Sequence, residues 1–244
     1  TSLRGLIGLK MKVEVLKEGV HSGGASGHVP SSFRIARTLL SRLEDEETGK
    51  IILDELNVEI PGYRFDETKN LVSILEHEVV GEFPWKNNMK PSTDDNIEGV
   101  LRRTWRPALS IVGVDGMPST ADAGNVLRPY TTFQLSMRIP PTADAKKATL
   151  AIEKALSENV PYDATVELKF EKAGEGWNAP ETKTWLLNSI EKASKNYFGE
   201  KSCFMGEGGS IPFMGMLGKQ FPKAQFVITG VLGPKSNAHG PNEF

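Results

Sequence analysis

The stretch Thr131–Ile139 constrains the fold more than any other part of the chain. Thr131, Phe133, Leu135, Met137 and Ile139 alternate with Thr132, Gln134, Ser136 and Arg138. A period of two sets successive side chains on opposite faces of a strand, so the stretch predicts a sheet with one apolar and one polar face. Arg138 falls on the polar row.

A strand needs partners, and the alternation recurs. Leu9, Met11, Val13 and Val15 alternate with Lys10, Lys12 and Glu14, and Val166, Leu168 and Phe170 with Glu167, Lys169 and Glu171. Leu109, Ile111 and Val114 read as a strand broken by glycine. Ser31 or Ser32 caps a helix with Phe33, Ala36, Leu39, Leu40 and Leu43 on one face. Pro140-Pro141-Thr142 ends the clearest strand and caps a second helix, with Ala145, Ala148, Ile152, Ala155 and Leu156 facing inward. Between the first helix and the second strand lies a less regular insertion, about 48–105. There Leu71, Ile74, Leu75 and Val79 suggest one amphipathic helix, while Pro61, Pro84 and Pro91 break the rest into loops. The expectation is a helical insertion covering a sheet face. The order of elements is the ferredoxin-like βαββαβ arrangement, an α+β fold.

Gly174–Pro180 reads as a linker, dividing the chain into residues 1–174 and 175–244. Beyond it, Leu186, Leu187, Ile190, Ala193 and Tyr197 define an amphipathic helix closed by Gly199. Gly208, Gly209 and Ser210, followed by Pro212, form a tight loop leading into a short helix, Phe213–Leu217. Unpaired N–H groups at such a place attract a carboxylate or phosphate. Gln225–Val231 reads as a buried strand, and His239 follows in a loop of small and turn-forming residues. This second piece is too rich in one-sided elements to bury a full core alone.

The formal net charge of -2 provides no basic field, which argues against a nucleic-acid partner. One cysteine, Cys203, allows no internal disulfide and fits a reducing, cytoplasmic setting. No apolar run reaches membrane-spanning length.

Glu207-Gly-Gly-Ser-Ile-Pro212, followed by Ala238-His239-Gly-Pro-Asn-Glu243, resembles the carnosine-dipeptidase branch of the two-zinc exopeptidases and deacylases. That family includes aminoacylases, acetylornithine deacetylase and glutamate carboxypeptidase. The resemblance implies a ferredoxin-like lid and dimerisation domain followed by the C-terminal part of an α/β zinc-exopeptidase catalytic domain. The half bearing the His-x-Asp, bridging Asp and Glu-Glu motifs is not matched, so the chain reads as an inactive fragment of a metallopeptidase. The parent would use two zinc ions, or manganese or cobalt, and act as a homodimer on dipeptides or N-acyl amino acids with a free carboxylate. This chain would supply one metal ligand and could not hold that binuclear centre by itself.

By the same resemblance each site residue has an implied role. His21, in His21-Ser22-Gly23, would stabilise the oxyanion across the dimer. Asn125 would donate to the substrate, Arg138 would pair with its C-terminal carboxylate, and Gly208, Gly209 and Ser210 would grip that group from the other side. His239 would be a terminal zinc ligand oriented by Glu243, and Glu207 a structural acceptor within its loop. On the residues alone His21 reads as a surface histidine and Asn125 as a turn former. Gly206 departs from the family, which usually has arginine there, and this bears on substrate. The rival reading is a ferredoxin-like dimerisation or binding module with no catalytic ancestry.

Overall fold

A computed structural model of the protein describes residues 1–75, 83–230 and 241. A two-residue strand, β1 (Ser2–Leu3), breaks at Arg4 and continues as β2 (Gly5–Glu14). Ile7, Leu9, Met11 and Val13 of β2 are buried, with Lys10 and Lys12 on the opposite face. Two short strands, β3 (Val20–His21) and β5 (Val126–Leu127), form a separate ribbon, and a single helical turn, α1 (Ser22–Ala25), follows β3.

The main sheet is antiparallel in the order β4-β6-β2-β7, with β4 spanning Ala108–Asp115, β6 Tyr130–Ile139 and β7 Thr165–Phe170. The strand order and the helices after the first and third long strands realise the expected ferredoxin-like topology. β6 pairs with β2 in a register that sets Arg138 opposite Leu6 and Tyr130 opposite Glu14. The glycine break expected in β4 is a register shift between Ile111 and Gly113.

One sheet face is covered by α2 (Ser32–Leu40) and α5 (Ala145–Ser157). Ser31 caps α2, its hydroxyl accepting from the Arg34 amide at 3.4 Å. Ile35, Ala36, Leu39, Leu40 and Leu43 enter the core, so Ile35 rather than Phe33 faces inward. Phe33 stays at the rim, edge-on to Phe133. The cap of α5 is Asp144 and not Thr142. Its carboxylate accepts from the Lys146 and Lys147 amides at 2.9 and 3.1 Å, and Asp caps better than Thr. Ile152 and Leu156 are fully buried, each contributing about 1.5–3 kcal/mol by leaving water.

The insertion differs from its sequence reading. Among the described residues it contains two α-helices, α3 (Gly62–Leu75) and α4 (Asn96–Thr104), after a 3-10 turn at Asp54–Leu56. The first starts well before Leu71, and Val79 lies outside the described residues. The second was hidden among prolines, although its Asp95 cap, accepting from the Ile97 and Glu98 amides at 2.8 and 3.3 Å, is a legible start signal. Neither helix adds a buried residue to the core under α2 and α5, but the start of the insertion does, through Ile51 and Leu56, with Leu53 and Val58 packed beside them. The two helices meet each other at Leu71 and Val100, with Val72 and Cys203 alongside.

The expected linker is partly a strand: β8 (Trp177–Asn178) pairs antiparallel with β1. Helix α6 (Thr184–Phe198) ends at Gly199, whose φ of +77° suits glycine. Helix α7 spans Pro212–Gln220. Neither α6 nor α7 has a buried residue, and Trp185, Phe213 and Met216 are exposed. The strand expected over Gln225–Val231 does not form within 225–230, where Val227 is 58 % and Ile228 43 % exposed. Strand preference is a preference for a packed, paired surface, and although Phe226 stands edge-on to Trp177 of β8, no strand pairs with this run among the described residues.

Candidate substrate-binding site

The Gly-Gly-Ser loop is set in place by β1. The Glu207 amide donates to the Ser2 carbonyl at 2.7 Å, and Leu3 and Glu207 form an isolated parallel bridge. Close approach explains two of the glycines. A Cβ at Gly206 would lie 2.7 Å from Ser2 Oγ and 2.9 Å from Thr104 Cβ, and one at Gly208 would lie 2.8 Å from the Arg103 carbonyl. The loop is therefore pressed between β1 and α4, which leaves no room for a side chain at position 206. Glu207 Oε1 accepts from the Gly209 amide at 3.2 Å, so its carboxylate folds the loop on itself.

Ser210 is the meeting point. Its hydroxyl donates to the Arg4 carbonyl at 2.6 Å and accepts from Arg138 Nη1 at 3.2 Å. Arg138 stands on the polar row of β6, half-buried, as its strand period requires. Arg4, which sequence reasoning missed, stands at the break between β1 and β2. Its Nε donates to the Gly208 carbonyl at 3.1 Å, and its Nη1 reaches the Arg102 and Arg106 carbonyls at 3.2 and 3.4 Å. Burial first, then the Arg138 and Arg103 charges, lower its pKa to about 10, against an opposing pull from Glu207. Positive charge thus exceeds negative around the loop, which suits an anion.

His21 and Asn125 are brought together elsewhere. His21 pairs with Val126 across the β3–β5 ribbon, and the Ser22 amide donates to the Asn125 carbonyl at 2.9 Å. Both residues are exposed. A Cβ at Gly23 would fall 2.7 Å from His21 Cε1, so the imidazole lies over a position that only glycine leaves open. The ribbon adjoins the Tyr130 end of β6, whereas Arg138 is at the other end, about 26 Å away along a strand rising about 3.3 Å per residue. The chain therefore builds two groups, not one.

His239 and Glu243 lie outside the described residues. Among the described residues no group of three or more His, Cys, Asp or Glu side chains is placed to hold a metal ion. These residues do not by themselves fit a binuclear centre.

The sequence of the peptidase dimerisation domain of the M20 peptidases matches residues 1–164. The chain belongs to the M20 peptidase family. It is 26% identical over 249 residues to the cysteinylglycine-S-conjugate dipeptidase of Corynebacterium striatum, covering 100% of this chain and 51% of that protein. It is 30% identical over 219 residues to the Cys-Gly metallodipeptidase DUG1 of Saccharomyces cerevisiae, covering 86% and 44% respectively. The structure of the M20 metallo-carboxypeptidase Sso-CP2 from Sulfolobus solfataricus superposes with a TM-score of 0.72 at 17% identity, over 99% of this chain and 54% of that one. The M20 chain described here spans about half the length of the curated relatives it matches. M20 membership accounts for the ferredoxin-like domain. No helix among the described residues is long and apolar enough to cross a membrane.

Proposed function

We propose that this M20 chain is the lid and dimerisation part (1–174) and the C-terminal part of the catalytic domain (175–244) of a metal-dependent dipeptidase. Its substrates are dipeptides or N-acyl amino acids with a free C-terminal carboxylate. Cys-Gly dipeptides are the first to test, since two relatives are named for that dipeptide or its S-conjugates. The observation that carries this reading is the Arg138–Ser210 contact, made beside a glycine loop in surplus positive charge.

In this reading the substrate carboxylate takes the planar fork of Arg138, with the Gly208 amide on its other side; Ser210, donating to Arg4, holds that fork by accepting from Nη1, and Gly209, donating to Glu207, shapes the loop around it. Anchoring that end binds substrate and transition state alike, which raises kcat/KM through KM. His21 and Asn125, at the far end of β6, act in the site of a second copy, so the working species is a homodimer. There His21 donates to the oxyanion, a contribution of roughly 3 kcal/mol to the barrier for such donors. The divalent metals, zinc or else manganese or cobalt, would be held by His239 together with ligands from the other half of such a protein, where they would polarise the scissile carbonyl. Cys203, whose thiol pKa is raised by burial, stays protonated and suits a cytoplasmic setting without disulfides.

The test is hydrolysis of Cys-Gly and of its C-terminal amide by the metal-loaded, full-length protein. The free acid should be favoured by roughly tenfold to a hundredfold in kcat/KM, the size of a charge-assisted contact. Equal rates on the two would overturn the carboxylate grip.

A further inference from the structure

Arg4 links three pieces of chain that are far apart in sequence. Its side chain donates to Gly208, 204 positions away, and to Arg102 and Arg106, 98 and 102 positions away. The carbonyls of Arg102 and Arg106 lie at and just beyond the end of α4, where helix carbonyls lack intrahelical partners. A cation there also meets the negative end of the helix dipole. The main chain of the same residue accepts from the Ser210 hydroxyl. Arg4 therefore holds the Gly-Gly-Ser loop at both ends, Gly208 by its side chain and Ser210 by its backbone. It clamps that loop to α4 while the hydroxyl of Ser210 stays aimed at Arg138.

We infer that Arg4 is a positioning residue for the carboxylate-binding site: it touches no substrate and fixes where Ser210 and the loop amides stand relative to Arg138. This rests on the reading of that site as a carboxylate grip. The planar guanidinium is required, because Nε and Nη1 donate to three carbonyls at once and a single ammonium cannot reach all of them. The charge of Arg4, pressed against those of Arg138 and Arg103, adds to the pull on an anion, but geometry is its main contribution.

The test uses the full-length, metal-loaded protein with Cys-Gly and its C-terminal amide. Arg4→Lys keeps the charge and loses the fork. Its KM for the free acid should rise about tenfold, with kcat and the rate on the amide little changed, because carboxylate binding is shared by ground and transition states. Combined with Ser210→Ala, the second change should add little, since the side chain of Arg4 and the hydroxyl of Ser210 fix the position of one loop. Arg4→Gln, which removes the charge and keeps two donors, guards against a folding failure of the lysine variant. Wild-type kinetics in Arg4→Lys would overturn the inference. So would equal losses on both substrates, additivity with Ser210→Ala, or loss of the circular dichroism of the folded state in both variants. A wild-type protein indifferent to the carboxylate would bring down the grip itself, a different result from a wild type that prefers the acid and an Arg4→Lys that prefers it equally.

Discussion

Arg138 Nη1 donates to Ser210 Oγ across 3.2 Å, although 72 positions of chain separate the two residues. In the full-length protein Arg138→Lys should lower kcat/KM for free-carboxylate dipeptides by about 1.5–3 kcal/mol, the worth of a charge-assisted hydrogen bond. The amidated substrate should be almost unaffected. Arg138 is on the polar row of β6, so no core volume is lost and the melting temperature should hold. Equal loss on both substrates, or a marked drop in melting temperature, would make Arg138 a structural residue.

The imidazole of His21 lies over Gly23, where a Cβ would stand 2.7 Å from Cε1 and 3.1 Å from Nδ1. Gly23→Ala should therefore displace the ring while the helical turn is left intact or slightly favoured. Loss of a positioned oxyanion donor costs roughly 3 kcal/mol, so kcat should fall by about a hundredfold with stability unchanged. Full kcat in this variant would remove His21 from the chemistry.

His21 and Arg138 stand at opposite ends of one strand, so complementation tests whether they serve one site from two copies. His21→Ala and Arg138→Lys proteins, each poorly active, should regain roughly a quarter of wild-type activity when dissociated and remixed, since half the dimers are mixed and each has one intact site. No recovery would put both residues in the same copy's site.

Edge strand β4 offers the surface for that pairing. It exposes Ile111, Val112 and Val114, with Val112 63 % exposed. Unpaired strand edges invite a partner, and a lysine on them repels one. Val112→Lys should turn a dimer into a monomer in sedimentation at micromolar concentration and lower activity with it. A variant that stays dimeric would move the interface away from β4.

Glu191 gives a pH signature to the C-terminal piece. The Ser202 hydroxyl and amide donate to its carboxylate at 2.8 and 3.0 Å, and Lys195 pairs with it at 3.1 Å. The Ser202 contacts first, then Lys195, hold its pKa at about 2 rather than 4.5. A depressed carboxylate stabilises the folded state above its unfolded pKa, and that contribution fades as pH falls from 4.5 through about 2. Glu191→Gln should thus be less resistant to urea than the parent at pH 7, with the gap narrowing across that window. A gap independent of pH would place the effect in packing.

The long strands and their helices were legible because their information is local. The alternation of Leu135, Met137 and Ile139 with Ser136 and Arg138 specifies a two-faced strand whatever lies beyond it, and Gly199 marks a helix end by its own backbone freedom. Where a local signal had rivals, the reading slipped. Asp144 outcompeted Thr142 as a cap, and α4 was obscured by neighbouring prolines despite Asp95.

What the amino-acid order determined by itself is the βαββαβ frame, the polar-face address of Arg138 and the tight loop before Pro212. Tertiary structure alone decided that Arg4 clamps this loop, that Gly206 and Gly208 are required by Ser2, Thr104 and the Arg103 carbonyl, and that His21 sits beside Asn125 far from Arg138. It also decided against a strand at 225–230, where Val227 and Ile228 stay exposed. The physical reason is common to these cases. Periodicity and capping are energies between near neighbours in sequence. A guanidinium finding carbonyls 98 to 204 positions away, or a strand finding its partner, depends on which surfaces the fold brings together.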